Sequence, residues 1–220
     1  METKTHSFAC NKNGGEIQIT LNEAMSFQGT NFTWEDQGLF VWRGCTDFIR
    51  YLCNNSDVVD ELFDRADAVV EIGGGTGLLS IFLDKINTKG VQIIMTDGAQ
   101  GSVELARKNA AQNHCSGNIH CERVLWGDSA DIDRLMDVHG LSGSTAVVGI
   151  AADIIWDDDS IPNILSTVDK LGCVYFLLAF HARSDYLRER TMELLSLNHV
   201  VKTIYCGDDK QSVFRLHRKY

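Results

Sequence analysis

The chain has 220 residues, of which 44% are hydrophobic and 23% are charged, enough for one α/β domain with a buried core but not for two full domains. The formal net charge is -10, whereas proteins that bind nucleic acids nonspecifically are usually basic. The acidic balance therefore disfavours a nucleic acid as the partner and favours a protein or a small molecule.

Cysteine usage and the polar N-terminus bear on metal binding and on location. The seven cysteines are Cys10, Cys45, Cys53, Cys115, Cys121, Cys173 and Cys206. Their odd number and the lack of a C-x-x-C pair argue against a disulfide framework and a structural zinc site, so we expect no metal.

Residues 1–15 are polar, unlike a secretory signal, and no apolar run reaches the roughly 18–20 residues of a membrane helix. We expect a cytoplasmic protein, with the nucleus as a second compartment, and no membrane partner.

The first predicted elements form a small N-terminal extension. Apolar and polar residues alternate over residues 16–21, which predicts a strand, and residues 31–34 form a second strand-like piece. We expect the two pieces to pair as a β-hairpin within an extension of residues 1–37. A helical pattern follows this extension and continues to Leu52.

From residue 67 onward, predicted strands and helices alternate along the chain. Strands are predicted at residues 68–72, 91–96, 119–125, 145–151, 173–180, 200–206 and 213–217. Helices are predicted at residues 78–86, 101–112 and 185–197 and in the region after Ile161. Such alternation is typical of an α/β fold with a doubly wound, mostly parallel sheet.

A glycine-rich turn follows the first of these strands. Residues 69–77 read V-V-E-I-G-G-G-T-G, and a helical apolar pattern begins at Leu78. A strand that turns on glycines into a helix brings bare backbone and N–H groups up to a ligand. The dinucleotide fingerprint G-x-G-x-x-G requires a glycine where Leu78 stands, which makes a dinucleotide oxidoreductase an unfavourable interpretation. The pattern that remains is E-x-G-x-G-x-G, from Glu71 to Gly77.

Polar and aromatic residues end the next three strands of the predicted core. Asp97, after the second strand, is placed to accept hydrogen bonds from ribose hydroxyls, although an Asp there can equally cap the following helix. Trp126 lies in the stretch Leu125–Asp128 and can stack on an adenine or simply pack in the core. Asp153 follows the fourth strand. Because ligands bind beyond the carboxyl ends of such strands, it should face the same crevice.

Together these motifs resemble the seven-strand lysine methyltransferases often called methyltransferase family 16. The matching segments are Gly38–Trp42, Glu71–Gly77, Asp97, Leu125–Asp128 and Asp153–Trp156, in that order. The resemblance covers roughly residues 16–217. It implies a Rossmann-like methyltransferase domain in residues 38–220, with seven strands and a closing antiparallel pair. It also implies S-adenosyl-L-methionine as cofactor, S-adenosyl-L-homocysteine as product and a protein as substrate.

The family's functional residues carry over to positions of this chain that match its motifs. Eight residues should bind the cofactor: Trp42, Glu71, Gly73, Gly74, Gly75, Asp97, Trp126 and Ala152. Asp153 and Trp156 should act at the acceptor side chain. Two departures stand out, since the family usually has Tyr in place of Trp156 and often has W-P-A-x where this chain has Trp42-Arg43-Gly44-Cys45.

The acceptor chemistry follows from ordinary properties of the side chains. A lysine amine must lose its proton before it attacks, and burial away from water favours its neutral form. Asp153 can orient the amine by accepting an N–H bond, and the ring of Trp156 can hold an ammonium group by a cation–π contact. His181 and Arg183 follow the fifth core strand closely enough to border the acceptor pocket.

Beside the protein lysine acceptor, which is the first class of function, two further classes stay open at this point. The same cofactor can serve a histidine or arginine of a protein, a small molecule or RNA. Base amines are disfavoured because Asp153–Trp156 lacks the prolines of an N-P-P-Y or D-P-P-Y loop. A non-catalytic interaction module is the third class, against which the intact Glu71, Gly73, Gly75 and Asp97 argue. We expect a monomer, because no long apolar stripe is left unassigned.

Overall fold

The computed structural model describes residues 1–10, 15–24, 33–143, 145–206 and 211–219. The N-terminal part contains β1 (Glu2–Cys10), β2 (Gly15–Glu23), a 3-10 helix (Trp34–Leu39), α1 (Arg43–Asn54) and α2 (Ser56–Arg65). The middle contains β3 (Ala68–Ile72), α3 (Leu78–Ile86), β4 (Gln92–Asp97), α4 (Gln100–Gln112), β5 (Ile119–Arg123) and α5 (Ser129–His139). The last part contains β6 (Val147–Ala152), α6 (Ile161–Lys170), β7 (Tyr175–His181), α7 (Asp185–Asn198), β8 (His199–Cys206) and β9 (Gln211–Arg218).

Seven strands form one sheet in the order β5-β4-β3-β6-β7-β9-β8. The first five are parallel, and β9 runs antiparallel to both of its neighbours. The predicted doubly wound, mostly parallel sheet with a closing antiparallel pair is confirmed. The chain moves outward from β3 to β5 and returns to β6, so the strand order reverses between β3 and β6. Ligands of open α/β sheets bind beyond the strand ends at such a reversal.

Two hydrophobic layers cover the two faces of this sheet. Alternate residues of β3 enter different layers, since Val69 packs with α1 to α3 whereas Ala68 and Val70 pack with α5 to α7. All five residues of β3 are buried, which is expected of a parallel strand that has helices on both faces. The core therefore holds the carboxyl end of β3 in a fixed position, and the glycine-rich turn begins there.

The N-terminal antiparallel hairpin is present, but its partner strand differs from the prediction. β2 pairs with β1, from Glu2 opposite Glu23 to Cys10 opposite Gly15. Residues 31–32 lie outside the described residues, and Thr33 precedes the 3-10 helix. There the Thr33 N–H donates to Asp36 Oδ2 at 2.8 Å and caps the helix start. The strand β1 was not predicted, because it is mostly polar and buries only Phe8 and Cys10.

The hairpin packs on helices and does not extend the large sheet. Asn109 of α4 and Asn113, the residue that caps this helix, lie one turn apart and bond the free edge of β2. Asn109 Oδ1 accepts from the Asn22 N–H at 2.8 Å, and Asn113 Oδ1 accepts from the Thr20 N–H at 3.0 Å. The two amide groups donate back to the carbonyls of the same strand residues. Two side chains thus replace a neighbouring strand and satisfy the backbone of β2.

A disulfide joins Cys10 at the end of β1 to Cys53 in α1. The sequence argument against disulfides is therefore wrong for this pair. The two residues are 43 positions apart, and only the packing of β1 against α1 brings them together, so their spacing gave no signal. The other five cysteines are free thiols. No helix in the described parts of the chain is long and apolar enough to cross a membrane.

Candidate active site

A cavity of about 670 Å³ lies beyond the carboxyl ends of β3, β4 and β6, where the strand order reverses. The structure places all ten residues predicted from the sequence around it: Trp42, Glu71, Gly73, Gly74, Gly75, Asp97, Trp126, Ala152, Asp153 and Trp156. The 3-10 helix adds a wall that the sequence analysis missed, with Trp34 and Gln37 at the cavity. The cavity thus joins the predicted cofactor and acceptor residues in one space.

The glycine turn connects β3 to α3 and forms the floor of the cavity. Gly73, Gly75 and Gly77 have φ angles of 70°, 54° and 82°, in the region that disfavours other residues. A Cβ on Gly75 would lie 2.9 Å from the carbonyl oxygen of Gly38. The segment Gly38–Trp42 therefore packs directly on the turn, and these two sequence motifs are one structural unit.

Asp97 fastens the glycine turn to the start of α4. Its Oδ2 accepts from the Gly75 N–H at 3.0 Å, and its Oδ1 accepts from the Ala99 N–H at 2.9 Å. Burial raises the pKa of this carboxyl, while the two N–H donors lower it. Each oxygen keeps a second lone pair for a ligand. Asp97 thus bonds the backbone at the helix start, and it also lines the cavity, where its role toward the ribose stays a prediction.

Glu71 lies beneath the turn and is almost fully buried. Its Oε2 accepts bonds from the Ser80 N–H, at 3.1 Å, and from the Ser80 hydroxyl. Burial raises the pKa of Glu71 to about 7, and the bonds from Ser80 oppose that rise. A Cβ on Gly74 would lie 2.9 Å from the same Oε2. Glu71 therefore supports the turn from below and titrates near neutral pH.

Trp126 stands on the opposite side of the turn. A Cβ on Gly73 would lie 2.9 Å from Cζ2 of this indole, so ring and turn are in close contact. The next residue, Gly127, donates its N–H to Thr167 Oγ1 at 2.9 Å, which ties the stretch to α6. The Asp128 carboxylate accepts from the N–H groups of Ala130 and Asp131 and caps α5. Trp126 therefore presents an apolar surface at a fixed distance from the glycine turn.

Asp153 has a strained backbone and a buried carboxylate. Its φ is 58°, uncommon for a residue with a side chain. Its Oδ2 accepts from the Gly44 N–H at 3.2 Å, at the N-terminus of α1 where the helix dipole favours negative charge. Oδ1 is buried, and no donor in the described part of the chain makes a well-formed hydrogen bond to it. Burial raises the pKa of Asp153, while Arg183 and the Gly44 N–H lower it.

The packing at Gly44 explains one departure from the family's motifs. A Cβ at this position would lie 2.6 Å from Cγ of Asp153. A residue with a side chain would therefore push the carboxylate away from the start of α1. Glycine in place of the usual alanine lets Asp153 approach the helix N-terminus closely.

Two tryptophans and an arginine complete this side of the cavity. The ring centroids of Trp42 and Trp156 are 4.1 Å apart, with the rings nearly perpendicular. The guanidinium carbon of Arg183 lies 3.9 Å from the ring centroid of Trp156, and Nη2 lies 3.6 Å from Asp153 Oδ1. Arg183 was expected only to border the pocket. Its contacts with both predicted acceptor residues follow from its place after β7, because β7 and β6 are parallel neighbours.

Comparison with known proteins identifies the family. The sequence profile of the family described as lysine methyltransferase matches residues 22–195, more than half of the chain. No curated protein matches the chain in sequence.

Similar folds occur among solved structures. The SAH-bound methyltransferase PaMTH1 of Podospora anserina is 10% identical, with 82% of this chain and 89% of that chain covered and a TM-score of 0.51. An rRNA methylase from Streptococcus thermophilus is 13% identical, with 82% and 99% covered and a TM-score of 0.50. A dimethyladenosine transferase from Plasmodium falciparum is 16% identical, with 74% and 60% covered and a TM-score of 0.46. At these identities the likeness to PaMTH1 and to the rRNA methylase shows a shared fold.

The family profile spans the segments that build the cavity, from the 3-10 helix to α7. Members of a methyltransferase family with this fold use S-adenosyl-L-methionine as cofactor and leave S-adenosyl-L-homocysteine as product. We conclude that the chain belongs to methyltransferase family 16, the lysine methyltransferases, and is an S-adenosylmethionine-dependent methyltransferase.

Proposed function

We propose that the protein transfers a methyl group to a lysine side chain of another protein. The observation that carries the proposal is the buried Oδ1 of Asp153, which lies in the same cavity as the glycine turn and has an ion-pair partner in Arg183 but no well-formed hydrogen bond from the described residues. A buried acceptor that lacks a hydrogen bond is costly, so a donor from the substrate is the natural partner for it. The family's description supports lysine as the source of that donor.

The residues of the cavity fit S-adenosylmethionine on the side of the glycine turn. The bare backbone of Gly73–Gly75 would hold the amino-acid part, Asp97 would accept bonds from the ribose, and Trp126 would cover the adenine. When bound, the cofactor supplies a methyl group on a sulfonium, which is already a good leaving group. The protein's own contribution is then mainly position and exclusion of water.

The acceptor side suits the long apolar stem of a lysine. Phe40, Trp42 and Trp156 line the cavity, and the ring centroids of Phe40 and Trp42 are 6.2 Å apart. Aromatic walls bury methylene groups and exclude water, which favours the neutral amine that can attack. Asp153 Oδ1 would accept one N–H of this amine and aim its lone pair at the methyl group. An ordinary Asp is too weak a base to remove the lysine proton itself.

The charge of the cavity supports a basic protein segment over RNA. Every charged side chain among the described lining residues is acidic: Glu71, Asp97, Asp128, Asp153 and Asp157. Arg183 adjoins the acceptor residues from outside this lining, and its charge is paired with Asp153. Phosphodiesters bind where lysine and arginine neutralise them, and carboxylates repel them. A lysine and the basic residues around it would instead be attracted.

The test is transfer of radiolabelled methyl groups from S-adenosylmethionine into a cell extract, with nuclease and protease digestion as separate treatments. We expect label in a protein band that survives nuclease and disappears with protease. Asp153→Asn keeps the shape but removes the charge, and it should lower the rate about 100-fold or more while cofactor affinity stays unchanged. Asp159→Asn, on the exposed part of the same loop, is the matched control and should label normally.

Three results would contradict the proposal. Label that nuclease removes would indicate an RNA acceptor, and label found only in the small-molecule fraction would indicate a metabolite. A parallel loss of cofactor affinity in Asp153→Asn would show that Asp153 belongs to the cofactor side.

A further inference from the structure

Arg183 touches each part of the acceptor side through one guanidinium group. Nη1 donates to the carbonyl oxygen of Ile155 at 2.9 Å, and Nη2 lies 3.6 Å from Asp153 Oδ1. The same group stacks 3.9 Å from the ring centroid of Trp156 and lies 5.8 Å from that of Trp42. The Arg183 side chain is 33% exposed, whereas that of Asp153 is 4% exposed. The guanidinium therefore stands between the buried carboxylate and the solvent.

These contacts hold the loop that follows β6. Residues 153–160 form neither helix nor strand, and two arginines contact them, one from the segment before α7 and one from α7 itself. Arg183 bonds Ile155 in the first half of the loop, and Arg190 Nε lies 3.3 Å from Asp158 Oδ2 in the second half. Arg183 is the one of these two that also reaches the Asp153 carboxylate.

The position of this charge has a chemical consequence. A cationic amine beside Asp153 Oδ1 would meet the fixed positive charge of Arg183 at close range. Like charges disfavour the protonated form of an amine, and a neighbouring cation is an established way to activate a lysine. Arg183 also offsets the Asp153 carboxylate, which would otherwise attract and stabilise an ammonium ion. One face of Trp156 already holds a guanidinium, so that face is not free for an ammonium substrate.

We propose that Arg183 is a positioning residue of the acceptor site, which fixes Asp153 and Trp156 around the acceptor nitrogen and favours that nitrogen in its uncharged form. This inference rests on the lysine acceptor proposed above, and it deepens that proposal by assigning how the site discriminates between amine and ammonium.

Other titratable groups lie around Asp153 and Arg183, and they limit the pH range in which the role of Arg183 can be tested. They come from β3, α1, the end of β6 and the end of β7: Glu71, Cys45, Asp153, Asp157 and His181. The Glu71 carboxyl has a pKa of about 7. Burial raises the pKa of the Cys45 thiol well above its usual range. A window from about pH 7.5 to 9.5 therefore lies above the Glu71 value and below the ordinary lysine value of about 10.4.

The experiment measures binding and needs no identified acceptor. The probe is an analogue of S-adenosylhomocysteine with a nitrogen in place of the sulfur and an aminoalkyl arm in place of the transferred methyl group. Its dissociation constant is measured by calorimetry across the window and divided by that of the same nitrogen analogue with a plain alkyl arm, so that protonation of the shared nitrogen cancels and the amine of the arm is isolated; S-adenosylhomocysteine is measured beside them. The variants are Arg183→Gln, which removes the charge, and Arg183→Lys, which keeps it. Arg188→Gln makes the same charge change on the exposed surface of α7 and is the matched control.

A site that selects the neutral amine binds the arm about tenfold more tightly for each unit of rising pH, because one proton is released on binding. We expect this dependence in the natural protein, in Arg188→Gln and in Arg183→Lys. In Arg183→Gln we expect less than about a threefold gain per unit, because the ammonium form is then tolerated. Binding of S-adenosylhomocysteine should be the same in all four proteins, which would show that each is folded.

Two results would overturn the inference. The first would leave the proposed lysine acceptor standing, and the second would contradict it as well. If the arm tightens binding but Arg183→Gln keeps the full pH dependence, Arg183 does not discriminate by charge, and the lysine acceptor stands. If the aminoalkyl arm gives no gain over the plain alkyl arm in the natural protein at any pH, the lysine acceptor and the role of Arg183 fail together.

Discussion

Two carboxylates of this site lie where the fold excludes water. Glu71 and Asp153 are both nearly buried, and burial raises the pKa of each. Among the described residues, the Glu71 carboxylate accepts its hydrogen bonds from Ser80, whereas Asp153 has a helix N-terminus and an arginine beside it. The two carboxylates should therefore respond differently to pH, with Glu71 changing its charge near neutrality.

The titration of Glu71 should be visible in the stability of the protein without cofactor. The folded-state pKa of about 7 lies above the ordinary glutamate value, so the folded state holds the proton more tightly than the unfolded state. Its contribution to stability is fully present below about pH 4.5 and is lost as pH rises through 7. Relative to Glu71→Gln, which stays neutral, the natural protein should lose about 3 kcal/mol between pH 4.5 and pH 8.

Urea unfolding of both proteins at several pH values measures this difference. Glu189→Gln, on the exposed surface of α7, is the control and should run parallel to the natural protein. Parallel curves for Glu71→Gln as well would show that the Glu71 carboxyl is not perturbed by its site.

At the scale of elements, the site depends on close contact between segments far apart in the sequence. The glycine turn after β3 touches the 3-10 helix at Gly38, and the start of α1 touches Asp153 at the end of β6. Each contact is possible because a glycine stands where a side chain would collide. The sequence motifs therefore mark the places where β3, the 3-10 helix, α1 and β6 contact one another, at the point where the strand order reverses.

Substitution of Gly75 tests this contact. Gly75→Ala places a Cβ 2.9 Å from the Gly38 carbonyl oxygen and forces alanine into a left-handed conformation. The conformation alone should cost about 1–2 kcal/mol of stability, and displacement of the turn should weaken binding of S-adenosylhomocysteine. Gly101→Ala is the matched control, because it lies in α4 with open space around it and should be neutral or slightly stabilising. Equal behaviour of the two variants in unfolding and calorimetry would contradict the close packing of the turn.

The sequence predicts the elements of the sheet well and the edges of the molecule poorly. Buried parallel strands such as β3 are short apolar runs between glycines or helices, and their side chains alone identify them. The helix α5 was not predicted because it buries only Ile132 and Leu135 on an otherwise polar surface. The strand β1 is likewise mostly polar, and its pairing is decided by contacts with distant parts of the chain.

The place of the ten predicted site residues at the cavity could be predicted from motifs, since nine of them lie at or after a strand end and Trp42 lies directly before α1. The contribution of Arg183 could not be derived in the same way. Its side chain reaches from the end of β7 to the loop after β6, a distance that depends on the pairing of those strands. The role of Gly44 could not be derived from the sequence either, because its N–H donates at 3.2 Å to the Asp153 carboxylate, 109 residues away.

At the scale of the whole molecule, the N-terminal hairpin is joined to the rest by a covalent bond and by α4. The disulfide links Cys10 to Cys53, and α1 carries Trp42 and Gly44 at its other end. Asn109 bonds Asn22 of the hairpin and, through Nδ2, the carbonyl of Thr76 in the glycine turn. The hairpin is therefore connected to both sides of the active site.

Reduction of the disulfide should destabilise the protein by about 2–4 kcal/mol, because the bond restricts the unfolded chain. Alkylation of the denatured, unreduced protein followed by mass spectrometry should label Cys45, Cys115, Cys121, Cys173 and Cys206 and spare the other two. The double variant Cys10→Ala/Cys53→Ala should be insensitive to reductant, whereas Cys206→Ala should respond like the natural protein. Modification of all seven cysteines before reduction would contradict the bond.

The most direct test of the account is to find the atom that receives the methyl group. S-adenosylmethionine with a trideuterated methyl group is incubated with the protein and a cell extract, and the labelled protein is digested and analysed by tandem mass spectrometry. We predict the trideuteromethyl group on the side-chain nitrogen of a lysine, absent when Asp153→Asn replaces the natural protein. A label on a histidine, an arginine or a nucleotide in the same comparison would contradict the lysine acceptor and would leave the fold and the cofactor as described.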